Sequence, residues 1–388
     1  MDFKSRNQII SEINQLLTEE GFETSNIYSQ SCFDMFAKRK LLLILLKALV
    51  NIDTIYESHA NEIKKISSAF HASPLIVGSK SRNTKLEEDV VYERHGIPAI
   101  GVETLKNMII YGDCPEILAD HGGYYVHING DLLKEYRQDY SLSLKDLADL
   151  AHVTRETIYK YENGIARAST ETAMALEEIL NIKITLDIDI LKINHNINTT
   201  NLSTNINSNN HINNNINSNN HINNNINSNN HINNNINSNN HINNNINSNN
   251  INSSNINTKS SNLNSNNIEK DLNEEDDKTK DLTNLGFGVV STKKTPFDTI
   301  AKIDNANNAN TSFIANLEEK RSSRSLQKIA ISLKDLSLIT SSESFFMINN
   351  IKTKEAVDGI PVVKSWEIKE LEDYHDFLKI INERKENS

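Results

Sequence analysis

From about Asn194 to about Asn267 the chain is written almost entirely in Asn, Ile, Ser and His, and no other stretch so limits what can fold. The ten-residue unit INSNNHINNN repeats four times from Ile206. Large apolar groups are too sparse to offset the entropy of ordering, and isoleucine at this spacing builds no helical face. The tract reads as a disordered linker, closed by the acidic run Glu269 to Asp281, and takes residues 193–281 out of any core. With ~80 flexible residues, its ends lie on the order of 50 Å apart. His211, His221, His231 and His241 stand ten residues apart with no second donor type, which is no metal-site spacing. Folding is left to three segments: 1–128, 129–192 and 282–388.

A length of 388 residues fits two or three domains, and the net charge of −11 excludes a protein that coats nucleic acid broadly. It does not exclude a reader with a small footprint. Cys32 and Cys114 form neither a zinc spacing nor a disulfide framework, which fits a reducing, cytoplasmic setting. The N-terminal MDFKSRNQIISEINQLL is amphipathic and lacks the apolar core of a signal peptide. Leu41 to Val50 is too short to span a membrane and reads as a buried strand running into a helix or loop.

Residues 131–182 have the periodicity of several short helices. Leu132, Leu133 and Tyr136 mark the first. Ser143 with Asp146 makes a variant capping box before Leu144, Leu147, Ala148 and Ala151. Ala148 is small enough for two helices to cross closely, and His152 and Val153 make the turn. Thr154 caps a helix from Arg155 to Asn163 with Ile158 and Tyr161 inward and Arg155, Glu156, Tyr159, Lys160 and Asn163 outward. Gly164 ends it, and Ser169 caps another helix whose apolar face includes Ala173, Leu176 and Leu180.

This helix-turn-helix pattern, through Arg137, Ser143, Leu147, Ala148, Val153, Thr154, Thr157, Ile158, Glu162, Gly164, Ser169 and Leu180, resembles the phage-repressor and Cro-like DNA-binding domain. The resemblance implies that Arg155, Glu156 and Lys160 read base edges and that Thr154 and Asn163 lie on phosphates. The whole DNA-binding set is Thr154, Arg155, Glu156, Thr157, Tyr159, Lys160 and Asn163. Arg155 can fork onto guanine and Glu156 accept from cytosine. The chain departs from the pattern at His152, where Gly is usual and a strained backbone is expected, at Leu144 in place of Gln, and at Ala168 in place of Pro. The segment has more acids than bases, so counterion release is modest.

The flanks echo each other. Gly21-Phe22, Phe33-Asp34, Ala37-Lys38, Lys65-Ile66 and Gly96-Ile97-Pro98 recur as Gly286-Phe287, Phe297-Asp298, Ala301-Lys302, Lys328-Ile329 and Gly359-Ile360-Pro361, 263 to 265 residues later. Such order without drift points to an internal duplication. Each copy reads α/β. The first has helices at Asn7 to Glu19, about Ala60 to Phe70 and from Thr104. Its strands are Phe33 to Ala37, Leu41 to Leu46, Pro74 to Gly78 and Ala99 to Val102. In the second, strands fall near Phe297 to Lys302, Thr311 to Ala315, Phe345 to Ile348 and Pro361 to Val363. Tyr124 to Ile128 reads as a strand leading into the helical segment, and Glu87, Glu88, Asp89 and Glu93 as a solvated charge run.

This order resembles the restriction-endonuclease-like core of archaeal junction resolvases, in which acids hold Mg²⁺ and a lysine positions water. Glu12, Asp34 and Lys47 fall at matching places, but Leu45 stands where the last acid belongs, and Phe313-Ile314-Ala315-Asn316 replaces that motif in the second copy. Both copies therefore read as degenerate: no catalytic residue, metal ligand or cofactor is expected. Asp34 and Asp298 are then structural, capping a turn or pairing with Lys38 or Lys302, and His71 and His95 are ordinary histidines.

As a whole the chain resembles a family of archaeal helix-turn-helix transcriptional regulatory proteins. The expected architecture is α/β plus all-α: a central helix-turn-helix bundle, two related α/β domains around it, and the Asn-rich linker. The implied function is sequence-specific regulation by a homodimer on double-stranded DNA, without membrane attachment. The α/β arms are available for an unknown effector or protein partner, and one hypothesis packs them on each other within the chain as a pseudo-dimer. The alternatives are a Mg²⁺-dependent nuclease targeted by the helix-turn-helix, or a protein-binding adaptor or antitoxin-like module.

Overall fold

Helix α1 (Arg6–Glu19) begins where Ser5 and Gln8 close a capping box and turns Ile9, Ile10, Ile13, Leu16 and Leu17 inward. The computed structural model describes residues 4–192, 279–303, 311–317, 323–348 and 355–386. The Asn-rich tract assigned to the linker lies outside them, except that a short helix over residues 279–284 takes three residues allotted to it. Leu282 of that helix is fully buried, which is why it belongs to a core.

After α1 come β1 (Glu23–Thr24), β2 (Met35–Arg39), β3 (Leu42–Asn51), α2 (Glu57–Phe70), β4 (Ser73–Ser81), β5 (Thr84–Lys85), β6 (Val90–Arg94), β7 (Ile97–Gly101) and α3 (Val102–Ile110). The strands order as β1-β2-β3-β4-β7-β6, with β3-β4 and β4-β7 parallel and the remaining neighbours antiparallel. The apolar run is one ten-residue strand from Leu42, with no helix or loop inside it, and only Leu41, 96% exposed, stays in the turn before it. The charge run conceals β6: Val90, Val91 and Tyr92 are buried between exposed acids. One face of the sheet packs on α1 and α3, the other on α2.

The C-terminal arm has β12 (Gly288–Ser291), β13 (Thr299–Ile303), β14 (Thr311–Asn316), α8 (Ser323–Thr340), β15 (Glu343–Met347), β16 (Ala356–Val357), β17 (Ile360–Val363), α9 (Ser365–Glu370) and α10 (Tyr374–Glu386). Its strands order as β12-β13-β14-β15-β17-β16, with the same succession of antiparallel and parallel neighbours as the first sheet. The short sequence matches sit on matching backbone features. Gly21 (φ 77°) and Gly286 (φ 93°) both end a helix, with Phe22 N–H bonded to Leu17 O and Phe287 N–H to Leu282 O. His95-Gly96 and Asp358-Gly359 are each positive-φ pairs at a tight hairpin turn.

The outer face of this second sheet carries Phe287, Phe313, Phe345 and Phe377 in edge-to-face contact. Its inner face shares one continuous core with the first arm: Phe36, Ile63, Ile66 and Phe70 lie in the same cluster as Phe297, Ile314, Leu333 and Phe346. Helices α2 and α8 are thus the filling between two sheets. The seam is bonded as well as packed. Tyr28 Oη donates to Asp335 Oδ2 at 2.5 Å, Asn26 N–H to the same oxygen at 2.9 Å, Cys32 N–H to Lys294 O at 2.7 Å and Lys293 N–H to Glu62 Oε2 at 2.9 Å. Burial beside the Asp335 carboxylate drives the Tyr28 hydroxyl well above its ordinary pKa.

Between the arms in sequence, β8 (Ile117–Asp120) and β9 (Gly123–Ile128) form a hairpin that extends the first sheet through β6. The helical bundle follows: α4 (Gly130–Asp139), α5 (Leu144–Leu150), α6 (Arg155–Glu162), β10 (Ala168–Ser169), α7 (Thr170–Leu180) and β11 (Thr185–Leu186). Both β10 and β11 pair with β9, and Val126 and Ile128 enter the bundle's core beside Leu133, Leu147, Ile158 and Leu176. Ile188 N–H then bonds Pro115 O at 2.7 Å, returning the chain to the first sheet.

Candidate nucleic-acid interface

The α5–α6 corner is set by caps. Ser143 Oγ accepts from Asp146 N–H at 3.1 Å while Asp146 accepts from Ser143 N–H at 2.8 Å, closing the box expected from sequence. Val153 N–H bonds Ala148 O at 2.9 Å, and His152 takes φ 54°, the strained conformation implied where relatives of the Cro type have glycine. Thr154 Oγ1 accepts from Thr157 N–H at 3.1 Å and starts α6. The helix closes at Glu162, one residue earlier than expected, and Asn163 is its C-cap.

Of the seven residues singled out, Thr154, Arg155, Glu156, Tyr159 and Asn163 are exposed, and Thr157 and Lys160 are half-buried. Ile158 and Tyr161 face the core. The polar groups are not equally available. Glu156 accepts from Lys160 Nζ at 2.9 Å along the helix, and that hydrogen bond holds its carboxyl below the ordinary range. Thr154 and Thr157 hydroxyls bond each other at 2.8 Å, and Asn163 Nδ2 is turned back to Tyr159 O at 2.7 Å. Arg155 is exposed and, among the described residues, enters no ion pair. It and the ring of Tyr159, 51% exposed, are the groups α6 presents outward without a local competitor.

Arg137 and Glu162 belong to the sequence pattern without an evident reason, and the geometry supplies one. Arg137 Nε and Nη2 fork onto the Glu162 carboxylate at 2.5 and 3.1 Å, and Nη1 donates to Leu142 O at 2.9 Å. The pair fixes the end of α6 to α4 and to the turn before α5.

Sequence reasoning missed the surroundings of Arg167, just beyond α6. Its guanidinium lies 5.6 Å from the Tyr125 ring centroid and donates to Asp120 Oδ2 at 2.5 Å, joining this loop to the β8–β9 hairpin. The aromatic strand was legible as a signal, but its partner was not.

The nuclease-like centre is rearranged. Glu12 does not join it, pairing instead with Lys4 at the surface at 2.6 Å. Asp34, 1% exposed, is spoken for on both oxygens: Arg6 and Lys47 approach Oδ1, Lys47 at 3.2 Å, and Ala48 N–H donates to Oδ2 at 2.7 Å. Leu45 is buried in the inter-arm core. Asp298 repeats the backbone scheme: its N–H bonds Ala315 O and its Oδ2 takes Leu317 N–H, just as Asp34 N–H bonds Leu46 O and its Oδ2 takes Ala48 N–H two residues on. Lys38 pairs with neither: it reaches Ser341 Oγ across the seam at 2.5 Å. One carboxylate already held by two cations does not fit a divalent metal, and the described residues hold no group of three or more metal-capable side chains.

Two family matches agree with these two sites. Residues 6–115 match a PD-(D/E)XK superfamily domain, and residues 133–186 match a helix-turn-helix domain. Over the whole chain, a protein of Methanobrevibacter smithii named "Putative HTH-type transcriptional regulatory protein" is 45% identical across 385 residues, covering 99% of each. The chain belongs to this archaeal family of HTH-type transcriptional regulatory proteins. A family member of the same name from Methanothermobacter thermautotrophicus is 46% identical over 98% of this chain and 97% of its own, and one from Pyrococcus horikoshii is 28% identical over 98% of both. Within the family member described here, no helix among the described residues is long and apolar enough to cross a membrane.

Proposed function

We propose that this protein is a sequence-specific DNA-binding transcriptional regulator that inserts α6 into the major groove. The observation that carries the reading is the exposed Arg155, without an ion pair among the described residues, at the start of a helix whose far end is clamped by Arg137 and Glu162. Arg155 and Tyr159 read bases, Thr154 and Asn163 face phosphates, and the Glu156–Lys160 pair must exchange its internal bond for base contacts. A homodimer presents two such helices to half-sites about one turn (~34 Å) apart.

The α/β arms are, in this reading, a duplicated pair that folds together and performs no hydrolysis. The shared strand order, the matching helix ends and the matching hydrogen bonds of Asp34 and Asp298 support descent of one arm from the other. The metal-dependent nuclease alternative is disfavoured by Arg6 on the Asp34 carboxylate and by buried Leu45 where a second acid belongs.

Selection of bound duplexes from a random pool, with the wild type and Arg155→Ala in parallel, tests the proposal. A two-fold motif lost or relaxed in the variant supports it. No enrichment at low salt overturns it in favour of a protein-binding module.

A further inference from the structure

Residues 116–132 fall between the two family matches, and most of them build the β8–β9 hairpin. We infer that this hairpin is a second DNA-contacting element, a wing whose tip at His121 lies against the phosphate backbone beside the groove occupied by α6. The inference rests on the DNA-binding reading of α6 and extends it.

The hairpin is fastened to the chain that leaves α6. Strand β10 begins five residues after Asn163 and pairs with β9 through Ala168–Val126 and Ser169–Tyr125. Arg167, the residue before β10, lies along the ribbon over Tyr125 and reaches Asp120 next to the tip. A single arginine side chain therefore ties the loop that leaves α6 to the residue next to the hairpin tip. The other edge of the hairpin, β8, is bonded to β6, so the wing is braced from both sides.

The tip itself has the features of a docking point. The turn is His121-Gly122, with Gly122 at φ 91°, and the His121 side chain is 107% exposed, with Asp120 Oδ1 3.3 Å from its ring nitrogen. A Cβ on Gly123 would meet nothing within 4 Å, so the approach is open. The same face of β9 carries Tyr125 and His127, and burial first, then the charge of Arg167, disfavours the charge on His127. The exposed His121 and His127 imidazoles and the Tyr125 ring are the groups this narrow ribbon sets toward the sugar-phosphate edge of a duplex, while Arg167 and Asp120 neutralise each other.

The test uses the full chain and the duplex selected by the wild type. His121→Lys and His121→Glu alter charge at a fully exposed turn, so folding is not at stake. If the wing touches phosphate, His121→Lys tightens binding several-fold and steepens the salt dependence by about one phosphate contact, His121→Glu weakens binding about ten-fold, and the selected motif is unchanged. Hydroxyl-radical protection beside the α6 footprint fades in His121→Glu. Affinities within two-fold of wild type and an unaltered footprint, with Arg155→Ala still losing the motif, overturn the wing and leave the reading of α6 standing. A wild type that selects no duplex overturns both.

Discussion

Arg137 and Glu162 lie twenty-five residues apart and form the strongest polar tie in the helical bundle, two hydrogen bonds from one guanidinium to one carboxylate, at 10% and 5% side-chain exposure. The Glu162 hydrogen bond also raises the arginine's pKa, so the guanidinium stays charged at any physiological pH. Removing one partner strands the other in a low-dielectric site. Glu162→Ala is expected to lose about 3–5 kcal/mol. Thermal unfolding followed by circular dichroism checks this, and a loss under ~1 kcal/mol would show the pair to be dispensable.

Gly130 sits against the same end of α6. A Cβ there would stand 2.7 Å from the Tyr161 carbonyl oxygen and still closer to that of Glu162. Backbone cannot move aside as a side chain does, so Gly130→Ala should destabilise the bundle by about 1–3 kcal/mol despite alanine's better helix propensity. Chemical denaturation of the full chain measures it; a neutral or stabilising result contradicts the packing.

Asp34→Asn leaves Arg6 and Lys47 facing a neutral amide in a site where the acid is 1% exposed. The expected cost is again about 3–5 kcal/mol. Millimolar Mg²⁺ should leave the wild-type Tm where it is, since the carboxylate is occupied. A Tm that climbs with Mg²⁺ and is flat in the variant would restore the metal-site reading.

His59 lies at the seam with its Nε2 3.1 Å from Lys294 Nζ. Burial first, then the charges of Lys294 and Lys47, hold its pKa below the ordinary 6.5. The unfolded chain takes up the proton before the folded chain does, so stability is full above 6.5 and falls as pH drops below it. His127, lowered by burial and by Arg167, acts in the same direction. Tm should decline between pH 7 and 5, and His59→Gln should make that decline shallower. An unchanged slope in the variant would exclude His59 as a contributor.

The two arms should unfold as one. Phe297 is 1% exposed in the shared core and meets Phe70 edge to face at 6.5 Å. Phe297→Ala is expected to cost about 3–5 kcal/mol and to speed amide exchange in β3 and α2 of the other arm. Exchange confined to the C-terminal arm would separate them.

Three of the five paired motifs mark a backbone need: glycine after a helix, a positive-φ turn before Ile-Pro, an aspartate that ties two strands. Caps at Ser143, Thr154 and Ser169 were legible for the same local reason. What sequence did not disclose depends on distant partners. Strand β6 was hidden because exposed acids flank Val90 to Tyr92 on both sides, while those three residues are buried in the cores on the two faces of the sheet. Glu12 has the right spacing for the nuclease-like centre, yet Arg6, one helical turn and a half earlier, reaches Asp34 instead. Arg137 and Arg167 were visible as residues, but the acids they meet are 25 and 47 residues away.

The repeated hydrogen bonds of Asp34 and Asp298 bear on how such genes are read across genomes. An aspartate that stitches the start of one strand to the end of the next serves folding whether or not an acid stands at the neighbouring position. In this chain the aspartate has a folding role in both arms, so its presence in a nuclease-like arm is not by itself a sign of cleavage.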